Sequence, residues 1–120
     1  MWWVHLAPRS GSEQGGRRPA IVVSHDSLAS VETWRSIVVV PLTTSDGASA
    51  RGPTVAEIPA GDGGLGRSSG ALCHQVTTLD RATFLERAGS LSPASLRAVE
   101  QGLLVALDLA TPPGAKRPRA

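Results

Sequence analysis

Cysteine is nearly absent: the 120-residue chain has one, Cys73. A single thiol excludes an intrachain disulfide framework and suits a reducing compartment, so a cytoplasmic location is expected. Long apolar runs are missing too, and no stretch approaches the roughly 18 residues that a membrane-crossing helix needs. Met1 to Ala7 does not supply, in order, the basic start, apolar run and cleavage site of a secretory signal. No G-K-[ST] sequence is present, which excludes a phosphate-cradling P-loop, and no internal repeat is visible. Metal-ligand spacing is also lacking: His5, His25, His74 and Cys73 are too few and too scattered for a zinc site.

What is present suits one compact domain, with 41% apolar residues, enough for a single core. The formal charge is +2 and the pI about 9.5, a balance that points to nucleic acid until it is divided by position. Residues 111–120 hold three of the twelve basic residues (Lys116, Arg117, Arg119) and no acid. The first 110 residues therefore carry nine basic and ten acidic groups, a net of −1. Two parts are expected: a folded domain over 1–110 and a disordered basic tail over 111–120, marked by Pro112-Pro113.

Along the chain, Trp2 to Leu6 reads as a short strand, followed by a polar, glycine-rich stretch from Ala7 to Arg18. Pro19 to Ser24 is β-branched and continuously apolar, the pattern of a strand buried on both faces. The strongest strand signal is Ile37-Val38-Val39-Val40 within Trp34 to Leu42, with Pro41 expected to end it. Thr54 to Ile58 reads as an edge strand, Pro59 to Gly70 as a glycine-rich connection, and Ala71 to Leu79 as one further strand. Asp80 to Leu85 suits a short helical turn with Asp80 as N-cap. A longer helix is expected from the N-cap Ser92, with Pro93 at its first position, to about Leu109. Leu96, Val99, Leu103 and Leu107 would form its buried stripe. Five short strands and a late helix predict a small, mostly antiparallel β-barrel or curled sheet capped by helix. A parallel α/β sheet fails because no helix-length segment separates the early strands.

Several motifs have a plain structural reading. Gly61-Asp62-Gly63-Gly64-Leu65-Gly66 satisfies G-x-G-x-x-G, but no helix opens on its last glycine, so a flexible loop is expected. Cys73 and His74, adjacent on an expected strand, would point to opposite faces and cannot form a nucleophilic pair. Cys73 reads as a small core residue. Trp2, Trp3 and Trp34 could stack bases, yet core and interface roles are commoner for strand tryptophans.

Gly11 to Pro19 differs, for it sets a carboxylate, an amide, a hydroxyl and two guanidiniums on a loop feeding an apolar strand. Arg18 lies directly before that strand, where its guanidinium could hold a phosphate. Thr43-Thr44-Ser45, past the Ile37–Val40 run, would supply hydrogen-bond donors if the fold brings them opposite.

These residues carry a resemblance. Trp2-Trp3-Val4 with Pro8, Gly11-Ser12-Glu13-Gln14-Gly15-Gly16-Arg17-Arg18-Pro19-Ala20-Ile21-Val22-Val23-Ser24, Val40-Pro41-Leu42-Thr43-Thr44 and Gln75-Val76-Thr77-Thr78-Leu79-Asp80 resemble the MazF/PemK (Kid) family of toxin ribonucleases. Gly89-Ser90-Leu91-Ser92 and the closing helix also fit, so the likeness spans about residues 2–109. It implies an SH3-like antiparallel β-barrel with a C-terminal helix, of the CcdB/MazF type, working as a homodimer. It further implies sequence-specific cleavage of single-stranded RNA, chiefly mRNA, without metal or other cofactor, leaving a 2′,3′-cyclic phosphate and a 5′-hydroxyl.

By the same resemblance Arg18 and Thr43 are the catalytic pair and Glu13 assists, while Ser12, Gln14, Arg17, Thr44 and Gln75 contact substrate. A MazE-like antitoxin would cover the RNA groove, and operator DNA would be met only through the toxin–antitoxin complex; no membrane is involved. Three departures stand out: no Gly-Asp/Glu-Ile stretch precedes Trp2, His74 occupies an often acidic position, and the basic tail is extra. A gyrase-binding toxin of the same fold, or a degenerate homologue that only binds antitoxin, remains the alternative.

Overall fold

The computed structural model describes residues 1–6, 16–25, 27, 30–44 and 52–109. The strands are β1 (Trp2–Leu6), β2 (Gly16–Val22), β3 (Ser36–Thr44), β4 (Val55–Ile58), β5 (Ser69–Leu72), β6 (Thr77–Asp80) and β7 (Phe84–Arg87), and α1 (Pro93–Ala106) closes the order. All paired strands run antiparallel, in the row β4-β5-β3-β2-β1-β7, with β6 alongside β3. This is the expected mostly-β architecture with a late helix. β4 is at the edge, as its sequence implied.

Alternation of side chains splits the apolar residues into two cores. Val4, Ala20, Ile37 and Val39 form the first, with Trp2, Val22, Leu79 and Phe84 against them. These come from β1, β2, β3, β6 and β7, so the five strands curl around one interior. The turn Arg81–Thr83 joins the two ends of that curl. The neighbouring residues Ile21, Val40 and Leu42 face the other way, into a second core with Ala56, Ile58, Ala71, Cys73 and Val99 of α1. The run from Pro19 to Val23 is continuously apolar because β2 is covered on both faces.

Pro41 does not end its strand. On the β2 side, Val23 N–H bonds to the Val38 carbonyl and Ala20 lies opposite Pro41. Paired and unpaired positions alternate, so Pro41 faces away from β2. On that far edge it falls between the ladder to β6 (36–39) and the ladder to β5 (42–44), where a missing N–H breaks neither.

The single strand expected over Ala71 to Leu79 is two strands. The chain leaves β3 at Leu42, passes through a 3₁₀ turn at Cys73–Gln75 and rejoins at Val39. Cys73 and His74 thus lie on a turn rather than on a strand. Asp80 caps as expected, accepting the Ala82 N–H at 2.8 Å, but the helical turn is brief and β7 follows at Phe84.

The helix begins where its caps placed it: Ser92 Oγ accepts the Ser95 N–H at 3.2 Å and Pro93 occupies the first turn. Its end is earlier than Leu109. Asp108 takes a left-handed φ of 58°, and Leu109 N–H bonds to the Leu104 carbonyl at 2.8 Å, closing a Schellman turn. The buried face is also rotated from the leucine stripe: Ser95, Val99 and Gly102 are buried, whereas Leu96 and Leu107 are exposed. Gly102 explains the rotation, because a Cβ there would stand 2.6 Å from Cys73 Sγ. Only a glycine lets the helix backbone approach the Cys73 turn so closely.

The glycine-rich connection is an ordered element. Asp62 accepts the Ser92 N–H at 2.8 Å and the Ser92 hydroxyl at 2.7 Å, and the Ser95 hydroxyl as well. These bonds fasten the 3₁₀ turn Asp62–Gly64 to the start of α1. The Ser95 and Ser92 donors hold the Asp62 carboxyl below its usual range. The G-x-G-x-x-G run is therefore a helix clamp. The expected tail at 111–120 lies outside the described residues.

Candidate active site at one end of the barrel

β2 lies between β1 and β3, and Arg18 is the third residue of β2. Its partner in β1 is Val4, whose side chain is fully buried in the barrel interior. Directly opposite residues share a face, so Arg18 faces inward above Val4 and Ala20. Thr43, near the end of β3, shares its face with Ile37 and Val39 and pairs with Gly70 of β5. The β2–β3 ladder ends at Ala20–Pro41, so Arg18 and Thr43 each lie two residues past its end, on the same inner face. Both side chains are half-buried. A guanidinium and a hydroxyl thus share the inner face at the same end of an apolar barrel. Among the described residues Arg18 has no carboxylate partner.

Gln75, exposed, ends the 3₁₀ turn that bridges β5 and β6. That turn falls between the stretch of β3 that pairs with β5 (42–44) and the stretch that pairs with β6 (36–39). Thr77 is one step deeper, on the same face as Leu79, and half-buried. Sequence reasoning did not single out Thr77, although its alternation with Leu79 is a period-two signal.

Arg17 is not brought to this site. It points outward, where its guanidinium lies 4.8 Å from the centre of the Trp3 ring and pairs with Glu86 of β7. Consecutive strand residues must point apart, so the two arginines of the R-R-P run cannot share one anion from one face. Thr44 pairs through its backbone with Ser69. Ser12, Glu13 and Gln14 lie outside the described residues.

The remaining chemical side chains are elsewhere. Cys73 is buried and the only cysteine, and burial pushes its thiol up, away from nucleophilic use. His74 Nδ1 lies 3.1 Å from Thr54 Oγ1. His25 Nδ1 lies 2.8 Å from Ser27 Oγ. Among the described residues no three His, Cys, Asp or Glu side chains gather into one cluster. Trp2 packs edge-on against Phe84 inside the barrel, Trp3 supports Arg17 outside, and Trp34 is exposed.

A small antiparallel barrel with one closing helix is the fold that the comparisons place in a family. Residues 1–107 match the model of the PemK-like, MazF-like toxin of type II toxin–antitoxin systems, and the chain belongs to that family. Solved structures agree. MazF from Deinococcus radiodurans is 29% identical with a TM-score of 0.70, over 89% of this chain and 91% of that one. The MazE–MazF complex of the same organism matches at 28% identity and a TM-score of 0.65, over 91% and 92% of the two chains. A mycobacterial endoribonuclease solved with its cognate antitoxin shares the fold at 20% identity and a TM-score of 0.69, over 92% and 95%. Among the described residues no helix is long and apolar enough to cross a membrane.

Proposed function

We propose that this toxin is an endoribonuclease that cuts single-stranded RNA at the Arg18–Thr43 rim. The observation that carries the reading is an inward, half-buried guanidinium with no carboxylate partner among the described residues, on the same face and at the same end of the barrel as a half-buried threonine. An anion-binding pair of that kind suits the phosphodiester. The ribose 2′-oxygen attacks its own phosphorus, the P–O2′ bond forms and the P–O5′ bond breaks. The products are a 2′,3′-cyclic phosphate and a 5′-hydroxyl.

A guanidinium stays charged near neutrality, so Arg18 neutralises charge building on the non-bridging oxygens. Thr43 donates a hydrogen bond to one of them. Glu13 accepts the 2′-proton and passes it to solvent, and the departing O5′ takes a proton from solvent water, so the step balances. Ser12, Gln14, Thr44 and Gln75 hold the flanking nucleotides. Arg17, engaged on the outer wall, stays outside the reacting set. The proposal includes a homodimer held in check by a MazE-like antitoxin, and independence from added metal.

The test is incubation of purified protein with a long single-stranded RNA in EDTA, followed by mapping of fragment 5′ ends. Discrete 5′-hydroxyl ends that disappear in Arg18→Ala support the reading. Uncut RNA with gyrase-linked DNA breaks would replace it with the gyrase-binding alternative.

A further inference from the structure

A second recess lies at the other end of the strands. β2 ends and β3 begins there, far along both strands from Arg18 and Thr43. A cavity of about 480 Å³ opens at this end, within the range of small-molecule sites. Its apolar wall is Trp2, Ile37, Phe84, Leu91 and Leu96. Trp2 and Phe84 meet edge to face with centroids 5.9 Å apart.

The polar groups on this cavity are cationic or neutral: Arg81, Arg87, Ser90 and the terminus of Met1, with no acidic side chain among the lining residues. Arg81 is committed through Nε to the Trp34 carbonyl at 2.9 Å and through Nη2 to the Val31 carbonyl at 3.1 Å, and so shapes one side. Arg87 is exposed and donates to the Ser90 hydroxyl, and no carboxylate faces it among the described residues. Glu86, the next residue, turns to the opposite face and is taken by Arg17. The Met1 ammonium, which donates to the Gly89 carbonyl at 3.1 Å, is near enough to Arg87 for the two charges to repel. An apolar recess lined by cationic groups and, among the described residues, by no carboxylate fits a ligand that is apolar at one end and anionic at the other.

We propose that this cavity binds a small amphipathic carboxylate, its chain or ring between Trp2, Ile37 and Phe84 and its carboxylate on Arg87 and Ser90. The site is independent of the Arg18–Thr43 rim and of the ribonuclease reading. Titration calorimetry with octanoate, 1-octanol and octylammonium on the full chain tests it. Octanoate is expected to saturate at one per chain, with octanol and octylammonium binding at least about tenfold more weakly. Arg87→Gln should weaken octanoate about tenfold and Ser90→Ala by less, with the melting temperature held. Arg18→Ala should leave octanoate binding intact. Equal affinity for octanoate and octanol, or octanoate binding indifferent to Arg87→Gln, overturns the proposal. So does a cavity closed to octanoate that Leu96→Glu opens by splitting a larger particle, since a second copy would then be its occupant.

Discussion

The two faces of β2 carry the same residue type to different ends. On the outer face Arg17 is held by Glu86 and the Trp3 ring, beside a wall that continues into the helix-covered core through Ile21. On the inner face Arg18 stands over Val4 with no carboxylate partner among the described residues. One guanidinium has its charge answered by Glu86 and Trp3, and the other, in the proposed function, meets the phosphate of the substrate. A half-buried arginine costs desolvation unless paired. In the proposed function this inner face is the one that meets substrate, a distinction that composition, which only counts two arginines, does not make.

The largest expected effect falls on the inner face. Arg18→Ala should lower RNA cleavage by roughly 10²- to 10³-fold, the usual loss for one preorganised donor, with little change in melting temperature. A comparable loss of both activity and stability would break the contrast, because Arg18 would then be structural too. Thr43→Val should cost about tenfold or more in kcat with the fold retained; Thr43→Ser, which keeps the hydroxyl, should recover much of it.

Perturbing the other core should move stability instead. Gly102→Ala forces a Cβ toward Cys73 Sγ and should destabilise by about 1–3 kcal/mol, measured by urea unfolding. Adding Cys73→Ala should restore part of that loss, and cleavage per folded molecule should not change. Asp62 supplies a pH test of the same outer-face construction. Its carboxyl is held below the usual range in the fold, so the unfolded chain binds that proton more tightly. The clamp is present above the ordinary carboxylate pKa of about 4 and is lost as the pH falls through the lowered value. Asp62→Asn should reduce the urea midpoint near neutrality and flatten its decline in acid. Smallest of all, Arg17→Ala should cost at most about 1 kcal/mol of stability, as exposed ion pairs do, and change cleavage less than threefold.

The legible parts of the fold were those set by local chemistry. Ser92-Pro93 announced the helix start, since a cap and a first-turn proline act within four residues. Pro19 to Val23 announced a strand covered on both sides. The parts that escaped depend on distant partners. Nothing local says that Gly102 must meet Cys73, so the leucine stripe looked like the buried face. Nothing local says that β3 changes neighbours at Pro41, so Ala71 to Leu79 read as one strand. Asp62 looked like loop polarity until Ser92 and Ser95 were placed against it.

At the rim, the R-R-P run and the Thr43-Thr44 pair were visible as chemistry, and the structure added the inner face that Arg18 and Thr43 share. It also separated Arg17 from Arg18, which a one-residue alternation implies but a motif hides. Glu13 and its neighbours belong to a segment outside the described residues, and their roles rest on the family likeness.

The most direct test sets the two neighbouring arginines against each other on one substrate. Arg17→Ala and Arg18→Ala are incubated with the same long single-stranded RNA in EDTA, and every 5′ end is mapped. The account predicts that Arg17→Ala yields the wild-type set of ends at a similar rate, whereas Arg18→Ala yields almost none while remaining folded. Equal losses in both variants, or an active Arg18→Ala, would contradict it.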